Sequence, residues 1–369
     1  MKNKEPINFW NIIKVAGAWI SFCVGSGYVT GTGFVQCFGG HGKMAYVIVL
    51  MGFLMSVYFA ITFIKLGFSG ELSSPMDMFE YYCGPYLGKA FKYLTLIYMC
   101  MSPIVMIAGF GASFNQHTGA PVWVGSLIMG TLCMITVLLG LRKLVDIVGT
   151  IGPIIIVLVL ILSSYYIYTN GSGIAEGMRI STQLDILKYN DSWFITGLME
   201  AAWAPMILGP FLVACTSTIK NEREGIYGSI LGAIGHYIGD AMLVTAFFCT
   251  FAEISKNQIP TLYMVTRISA SFAPIFVMIL FLGVYSSAVP SQFNFCSNFF
   301  PEKTMQYNLT AVISIFISTV IAFVIPFELL LNRVNVCFSY ASWIFIACMI
   351  LKQIRTLAGG KKSSLSSEG

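Results

Sequence analysis

The chain has 369 residues, of which 57% are hydrophobic and only 10% are charged, and its mean hydropathy is +0.79. Soluble domains carry roughly 25% charged residues, so this composition excludes a soluble protein. The apolar residues fall in continuous blocks of about 20, the length of helix that crosses a bilayer. The net charge of +5 does not indicate a nucleic-acid partner, because the basic residues lie at the ends of the apolar blocks. The sequence therefore predicts an all-α protein embedded in lipid.

About ten of these blocks are predicted to span the membrane. If the N-terminus is cytoplasmic, 15 of the 21 Lys and Arg residues fall on the inner side, as the positive-inside rule expects. Both termini of this multi-pass protein of the cell membrane are then cytoplasmic. Interfacial helices are predicted at 74–83 and 259–267, and a disordered cytoplasmic tail at 353–369. The predicted spans are 10–38, 43–67, 88–113, 121–140, 145–168, 193–218, 226–252, 272–298, 306–325 and 330–351.

The predicted spans divide into two halves of nearly equal length, at about 10–168 and 193–352, within a single transmembrane domain, 1–352. Each half holds five spans, and because five is odd the halves enter the membrane in opposite directions. This is the arrangement of inverted-repeat transporters. No repeat is visible residue by residue, so length and parity alone support this interpretation, and chance equality is the alternative.

The first span contains four glycines within nine residues, between Gly25 and Gly33. Each glycine destabilises a helix interior by about 1 kcal/mol relative to alanine. The spacing of Gly27 and Gly31 suits close helix packing. The alternative is a helix unwound near Gly25–Gly27, whose free backbone groups line a cavity and whose second half, from Tyr28, points its positive dipole end at a ligand. The glycines alone do not decide between the two.

The sixth span carries Glu200 and, shortly after it, Pro205. Small residues before a proline predict a second break at Ala201–Ala204, and an ordinary proline kink is the alternative. A carboxylate inside the membrane indicates a functional site, unless it lies near enough to the surface to stay wet. Glu200 is therefore a candidate for cation binding or proton transfer.

The seventh span holds His236 and Asp240, which share one helix face because they are four residues apart. The pair indicates either a proton relay or a buried structural pair. The ten cysteines form no C-x-x-C motif, so neither a metal cofactor nor a disulfide is expected. The motifs H-E-x-x-H and G-x-S-x-G are also absent, which argues against an enzyme.

One stretch of the first span carries a family resemblance. The run Val24-Gly25-Ser26-Gly27-Tyr28-Val29-Thr30-Gly31, followed by Gln36-Cys37-Phe38 and Gly42, resembles the first helix of the YkvI-type bacterial membrane proteins. These belong to the amino acid–polyamine–organocation superfamily, whose members share the LeuT-type five-plus-five inverted repeat with broken helices one and six. The YkvI-type pattern usually has an acidic residue where this chain has Gly33. That departure removes any function that depends on the carboxylate.

The eighth span offers a possible sodium site. Gly283, Ser286 and Ser287 share one helix face, and two hydroxyls with a carbonyl provide hard oxygen ligands. The resemblance implies that the carbonyls of Ser21 and Val24 complete a Na⁺ site. The alternative is that each serine bonds a carbonyl of its own helix. Span five lacks the lysine that replaces sodium in some superfamily members, which favours Na⁺; H⁺ at Glu200, His236 or Asp240 is the rival.

These observations predict a secondary active transporter of a small solute, amino-acid-like or an organic ion, driven by cation-coupled alternating access. The alternative is a transporter-like receptor or accessory protein that binds a ligand without moving it. The expected partners are the lipid bilayer and the solute, with no cofactor beyond the coupling ion. The predicted solute site consists of Gly25, Ser26, Gly27, Tyr28, Ala201 and Trp203.

Overall fold

A computed structural model of the chain describes residues 7–23, 26–139 and 144–365. All regular structure in these ranges is helical, which confirms the predicted fold class. The helices of the first half are α1 (Phe9–Cys23), α2 (Ser26–Thr30), α3 (Thr32–Cys37), α4 (Ala45–Ser69), α5 (Met78–Thr118), α6 (Val122–Leu139) and α7 (Leu144–Asn170). Those that follow are α8 (Ile174–Ser181), α9 (Trp193–Cys215), α10 (Glu222–Phe248), α11 (Phe251–Ile254), α12 (Pro260–Ile268), α13 (Ala273–Ser297), α14 (Met305–Val324) and α15 (Phe327–Leu365).

Nine helical segments of the described chain are long and apolar enough to cross a membrane. The predicted first span differs because it is divided into α1, α2 and α3, none of which is long enough alone. Together these three helices cover 9–37, close to the predicted 10–38. The count therefore agrees with about ten spans.

The helix contacts come in pairs, and interchanging the two halves of the chain converts one contact of each pair into the other. α1 of the first span packs on α10 of the seventh, and α4 of the second span packs on α9 of the sixth. The pairs α1 with α7 and α9 with α15 are related in the same way, while α5 packs on its own counterpart α13. An inverted repeat produces this pattern because exchanging the halves converts one pair into the other.

The first span is interrupted at Gly31, between α2 and α3. This residue has φ +78°, which a side chain rarely adopts, and a Cβ there would lie 2.5 Å from Cζ of Phe247. The hydroxyl of Thr261, on α12, donates to the carbonyl of Val29 at 2.6 Å, so backbone near the break is satisfied from outside the span. The predicted break at Gly25–Gly27 stays a prediction, because Val24 and Gly25 lie outside the described residues.

The sixth span differs from its prediction, because no break occurs at Ala201–Ala204. α9 runs as one helix through Pro205 and Pro210. Each proline lacks an N–H, so the carbonyls of Ala201 and Met206 lose their partners within the helix while the helix itself continues. Transmembrane helices tolerate this when neighbouring helices satisfy the local backbone. The indole of Trp343, on α15, donates to the carbonyl of Leu198 one turn earlier, at 3.2 Å.

The predicted interfacial helices are both present. Residues 78–83 form the start of α5, which bends at Gly84 (φ +75°), and α12 covers the second predicted segment. The tail differs from its prediction, because α15 continues from the membrane to Leu365. Lys352 is the residue before the predicted tail, and its ammonium group donates to the carbonyl of Tyr81 at 2.5 Å. This contact holds the end of the span against residues 78–83.

We predict that Gly31→Ala destabilises the protein more than Gly119→Ala does. Both glycines have a similar positive φ, but a Cβ at Gly119 meets nothing within 4 Å, whereas at Gly31 it meets Phe247 and Thr261. The control therefore measures backbone strain alone, about 1–2 kcal/mol. The clash adds a further 1–3 kcal/mol or so at Gly31. Thermal unfolding in detergent checks this, and equal effects would contradict the close packing of the break.

Candidate functional site

A cavity of about 130 Å³ lies between the broken first span, α5, α9, α10 and α15. Five of the predicted site residues line it together: Tyr28, Glu200, Trp203, His236 and Asp240. The sequence did not single out its other principal polar residues, Cys23, Cys37, Tyr98, Ser102, Tyr189, Asn335 and Ser339. Gly33, where the YkvI-type pattern has an acidic residue, also lines the cavity.

Glu200 faces the cavity and has hydrogen-bond partners. The Cys37 thiol donates to Oε2 of Glu200 at 3.5 Å, and the hydroxyl of Tyr237 also bonds the carboxylate. Tyr237 is itself held by Ser56, whose Oγ lies 3.1 Å from its hydroxyl. The carboxylate thus projects from α9 and is bonded from α3 and α10, and Glu200 is half-buried.

His236 and Asp240 differ from Glu200, because the side-chain atoms that face each other in this pair have no hydrogen-bond partner. Nδ1 of His236 and Oδ1 of Asp240 are 3.8 Å apart, too far for a direct hydrogen bond. Neither atom is bonded elsewhere, and the hydroxyl of Tyr28 is also unpartnered. The three residues are only 2–6% exposed. The ring of Tyr28 lies 5.4 Å from that of His236, and its hydroxyl rests against Gly239, where a Cβ would be 2.2 Å away.

Trp203 lines the cavity and forms a hydrogen bond with the hydroxyl of Tyr98, on α5. Ala201 is buried and does not line the cavity. The backbone part of the predicted solute site stays a prediction. Gly25 lies outside the described residues, and Ser26 and Gly27 begin α2.

The described members of the predicted sodium site, Ser21, Gly283, Ser286 and Ser287, do not line the cavity, and Val24 lies outside the described residues. The hydroxyls of Ser286 and Ser287 both donate to the carbonyl of Gly283, at 2.9 and 3.3 Å. Ser21 donates to the carbonyl of Gly17 at 2.8 Å. A Cβ on Gly283 would lie 2.9 Å from the side chain of Val29, so this turn of α13 packs on α2. The serines thus make the bonds of the structural alternative, and the sodium site stays a prediction.

Tyr189, in the long loop before α9, lines the cavity. The backbone N–H of Tyr189 donates to the carbonyl of Gln36 at 3.2 Å, and its hydroxyl accepts from Nδ2 of Asn335 at 2.7 Å. Nδ2 of Asn332 donates to the carbonyl of Lys188 at 3.1 Å. These bonds connect the loop to both α3 and α15. A tyrosine in a polar loop gives no sequence signal for such a role.

The cavity carries acidic groups, but its polar side chains do not assemble a metal centre. Within the described ranges, no group of three or more His, Cys, Asp or Glu side chains is placed to hold a metal ion. The described lining residues include two carboxylates and no Lys or Arg. The arrangement therefore suits a positively charged occupant.

Comparisons with known proteins agree with this architecture. No protein-family model matches the chain. It is 19% identical to the uncharacterized membrane protein YkvI of Bacillus subtilis (strain 168) over 350 residues, 92% of this chain and 95% of YkvI. It is 24% identical to the protein YyaD of the same organism over 280 residues, 72% of this chain and 75% of YyaD. The chain is a homologue of YkvI. The resemblance inferred from the first span is thereby confirmed.

The fold is also found among solved structures. A mutant of the Eremococcus coleocola manganese transporter is similar with a TM-score of 0.60 and 13% identity, covering 94% of this chain and 80% of that one. The same transporter in complex with an aromatic bis-isothiourea substituted compound gives a TM-score of 0.56 at 14% identity, covering 94% of this chain and 78% of that one. At this level of identity the YkvI homologue shares their fold, and the fold alone.

We predict that Tyr189→Phe exposes the cavity. The substitution removes the hydroxyl that accepts from Asn335, and a lost hydrogen bond of about 1 kcal/mol makes opening about fivefold more frequent. Labelling of Cys37 by a maleimide, with the other nine cysteines replaced, should accelerate by that factor. Tyr168→Phe, at a residue 88% exposed, is the matched control. An unchanged labelling rate would show that the loop does not close the cavity.

Proposed function

We propose that this protein is a secondary active transporter that binds a small organic cation, or the ammonium group of an amino-acid-like solute, in the central cavity. The observation that supports it most is the pair of carboxylates, Glu200 and Asp240, that face one cavity inside an apolar bundle. Removing a charge from water costs several kcal/mol even after relaxation of the protein. A cationic ligand offsets this cost, and the described lining offers no lysine or arginine to do so.

Aromatic side chains support the same class of solute. Tyr28, Phe34, Phe38, Tyr98 and Trp203 all line the cavity. Ammonium groups are attracted to aromatic faces, by about 2 kcal/mol where water is excluded. The volume of about 130 Å³ suits a small solute. Carboxylates with aromatic walls thus favour an amine over an anion or a neutral sugar.

A divalent metal ion is the second candidate, because the similar solved structures are manganese transporters by name. The cavity holds Glu200, Asp240, His236 and two cysteines, whose atoms are all possible ligands. Against this candidate, these side chains form no cluster of three within the described ranges. Mn²⁺ therefore belongs in the transport assay as a competing substrate.

The coupling ion and the setting are parts of the same proposal. Na⁺ is the ion predicted from Ser21, Val24, Gly283, Ser286 and Ser287, and the turn of α13 that carries the serines packs on the first span. Coupling by a cation would bias the equilibrium between the two access states. We propose that the protein lies in the cell membrane with both termini cytoplasmic. A receptor that binds without transport is the alternative, and uptake assays separate the two.

The test is uptake by proteoliposomes of labelled amino acids, amines and Mn²⁺, after a thermal-shift screen with the same compounds. We expect at least one amine or amino acid to stabilise the protein and to accumulate. Glu200→Gln should weaken its binding about 30-fold or more, because removing one partner of a buried charge pair costs 2–5 kcal/mol or so. Glu302→Gln, at an exposed loop residue, should change nothing.

The outcomes of this assay are distinct. Accumulation of Mn²⁺ alone would replace the organic cation with the metal. Binding without accumulation would favour the receptor. Normal binding of the amine by Glu200→Gln would remove the carboxylate from the site and contradict the proposal.

We predict that the loop at 169–192 faces the outside of the cell. The motivation is the excess of basic residues on the opposite side. A cysteine placed at Asp185, which is exposed, should react with an impermeant maleimide in intact cells. Ser73→Cys, in the exposed segment between α4 and α5, is the control and should react only after the cells are opened. The reverse pattern would invert the proposed orientation.

A further inference from the structure

The two carboxylates of the cavity differ in how they are held. Glu200 is bonded by Cys37 and Tyr237, which fix it in place. Oδ1 of Asp240 has no partner, although Asp240 is only 2% exposed. Buried polar atoms are almost always hydrogen-bonded, so an orphaned carboxylate oxygen points to an occupant. The two groups therefore differ in their capacity to take up a ligand.

Two further orphaned atoms face the same place. Nδ1 of His236 lies 3.8 Å from Oδ1 of Asp240, one helical turn away, and has no partner. The hydroxyl of Tyr28 is also unpartnered and lies against Gly239, between these two residues in the sequence. Three buried polar atoms from α2 and α10 thus converge without bonding one another or anything else.

We propose that Tyr28, His236 and Asp240 form a separate proton-binding site beside the solute carboxylate Glu200. The proposal deepens the proposed function, on which its transport role rests, by assigning one carboxylate to the solute and the other to a proton. In the binding step one O–H bond breaks and one forms. A hydronium ion transfers its proton to Oδ1 of Asp240 and leaves as water, and the new O–H donates to Nδ1 of His236, directly after a shift of about 1 Å or through one bridging water.

The ligand set favours a proton over a metal cation. Hard metal cations are held by roughly six or more oxygen atoms. Here the converging side chains supply one carboxylate, one hydroxyl and one imidazole nitrogen. Imidazole is a good proton partner and a poor ligand for Na⁺. Tyr28 can donate to the carboxylate when Asp240 is ionised, and to the carbonyl oxygen of the carboxylic acid when Asp240 is protonated.

The other titratable groups around Asp240 are few. Cys23 of α1, Cys37 of α3 and Tyr237 of α10 interact with it electrostatically, and so does Glu200 of α9. Glu200 is the one other carboxylate among them. Since thiols and phenols are neutral near neutral pH, the charge of this region is set by the two carboxylates and His236.

Infrared difference spectroscopy on the whole purified protein tests the site with the proton as its only ligand. Lowering the pH should produce the carbonyl band of a protonated carboxylic acid, which shifts in D₂O. Asp240→Asn should lose this band, whereas Glu200→Gln and Ser287→Ala should keep it. Replacing K⁺ with Na⁺ at fixed pH should leave the band unchanged.

Two milder variants keep the test decisive if Asp240→Asn fails to fold, as judged by gel filtration. Tyr28→Phe should shift the frequency of the band, because one hydrogen bond to the carboxyl group is lost. His236→Gln should lower the proton affinity about two- to tenfold, the equivalent of one hydrogen bond of about 0.5–1.5 kcal/mol. A wild-type band that Tyr28→Phe and His236→Gln leave unaltered would overturn the proposal.

Three other results also overturn it. They are the absence of any band between mildly acid and mildly alkaline pH, a band that survives in folded Asp240→Asn, and a band that Na⁺ abolishes. None of these measurements requires a transported solute. Failure of the uptake assay would therefore contradict the transport function and leave the proton site supported. Failure of the infrared test would contradict the proton site and leave the transport function supported.

Discussion

The presence of two carboxylates inside a membrane-spanning bundle, one buried and one half-buried, is the constraint on which the rest of this structure depends. Glu200 and Asp240 face a cavity whose described lining contains no lysine or arginine. An ionised carboxylate costs several kcal/mol to bury, so it must be hydrogen-bonded, neutralised by a proton or paired with a cation. The structure uses hydrogen bonds for Glu200 and leaves Asp240 without any at Oδ1. This difference in hydrogen bonding is the basis for proposing different roles for the two groups.

The inverted repeat explains why these carboxylates meet. The first span packs on α10, and the second span packs on α9. The consecutive helices α9 and α10 therefore lie against the first two spans. Glu200 and Asp240 are 40 positions apart in sequence and still line one cavity. The interruption at Gly31 adds backbone freedom there, and Thr261 of α12 bonds the carbonyl of Val29 beside it. The pairing of helices, rather than any local motif, builds the site.

Several residues of the cavity could be predicted from the sequence, for physical reasons. Ionisable residues inside apolar blocks are costly, so Glu200, His236 and Asp240 stand out against their surroundings and do line the cavity. Tyr28 and Trp203 were found because they adjoin helix-weakening residues. The helix break predicted at Ala201–Ala204 is absent, because a proline removes one hydrogen bond and α9 continues without it. The tail predicted to be disordered at 353–369 differs as well, since helix α15 extends over 353–365.

Other residues of the site could not have been found from one sequence. Tyr189 lies in a polar loop, and its contact with Asn335 joins positions 146 residues apart. Cys37 and Cys23 resemble ordinary packing residues, because a free thiol in an apolar block is usually structural. Gly33 shows the opposite case. It lines the cavity at the position where the resemblance of the first span leads to the expectation of an acidic residue, and the carboxylates of the described lining are Glu200 and Asp240.

The sign of the coupling follows from placing a proton at Asp240 and a cationic solute at Glu200. The two carboxylates interact electrostatically, so the two positive ligands repel each other across the same short distance. Each ligand then weakens the binding of the other, and linkage requires the effect to be mutual. A transporter in which proton and cation displace one another exchanges them across the membrane. Under the proposed proton site, the separation of a well-bonded Glu200 from an unpartnered Asp240 therefore favours proton–cation exchange, and coupling to Na⁺ through Ser286 and Ser287 is the competing prediction.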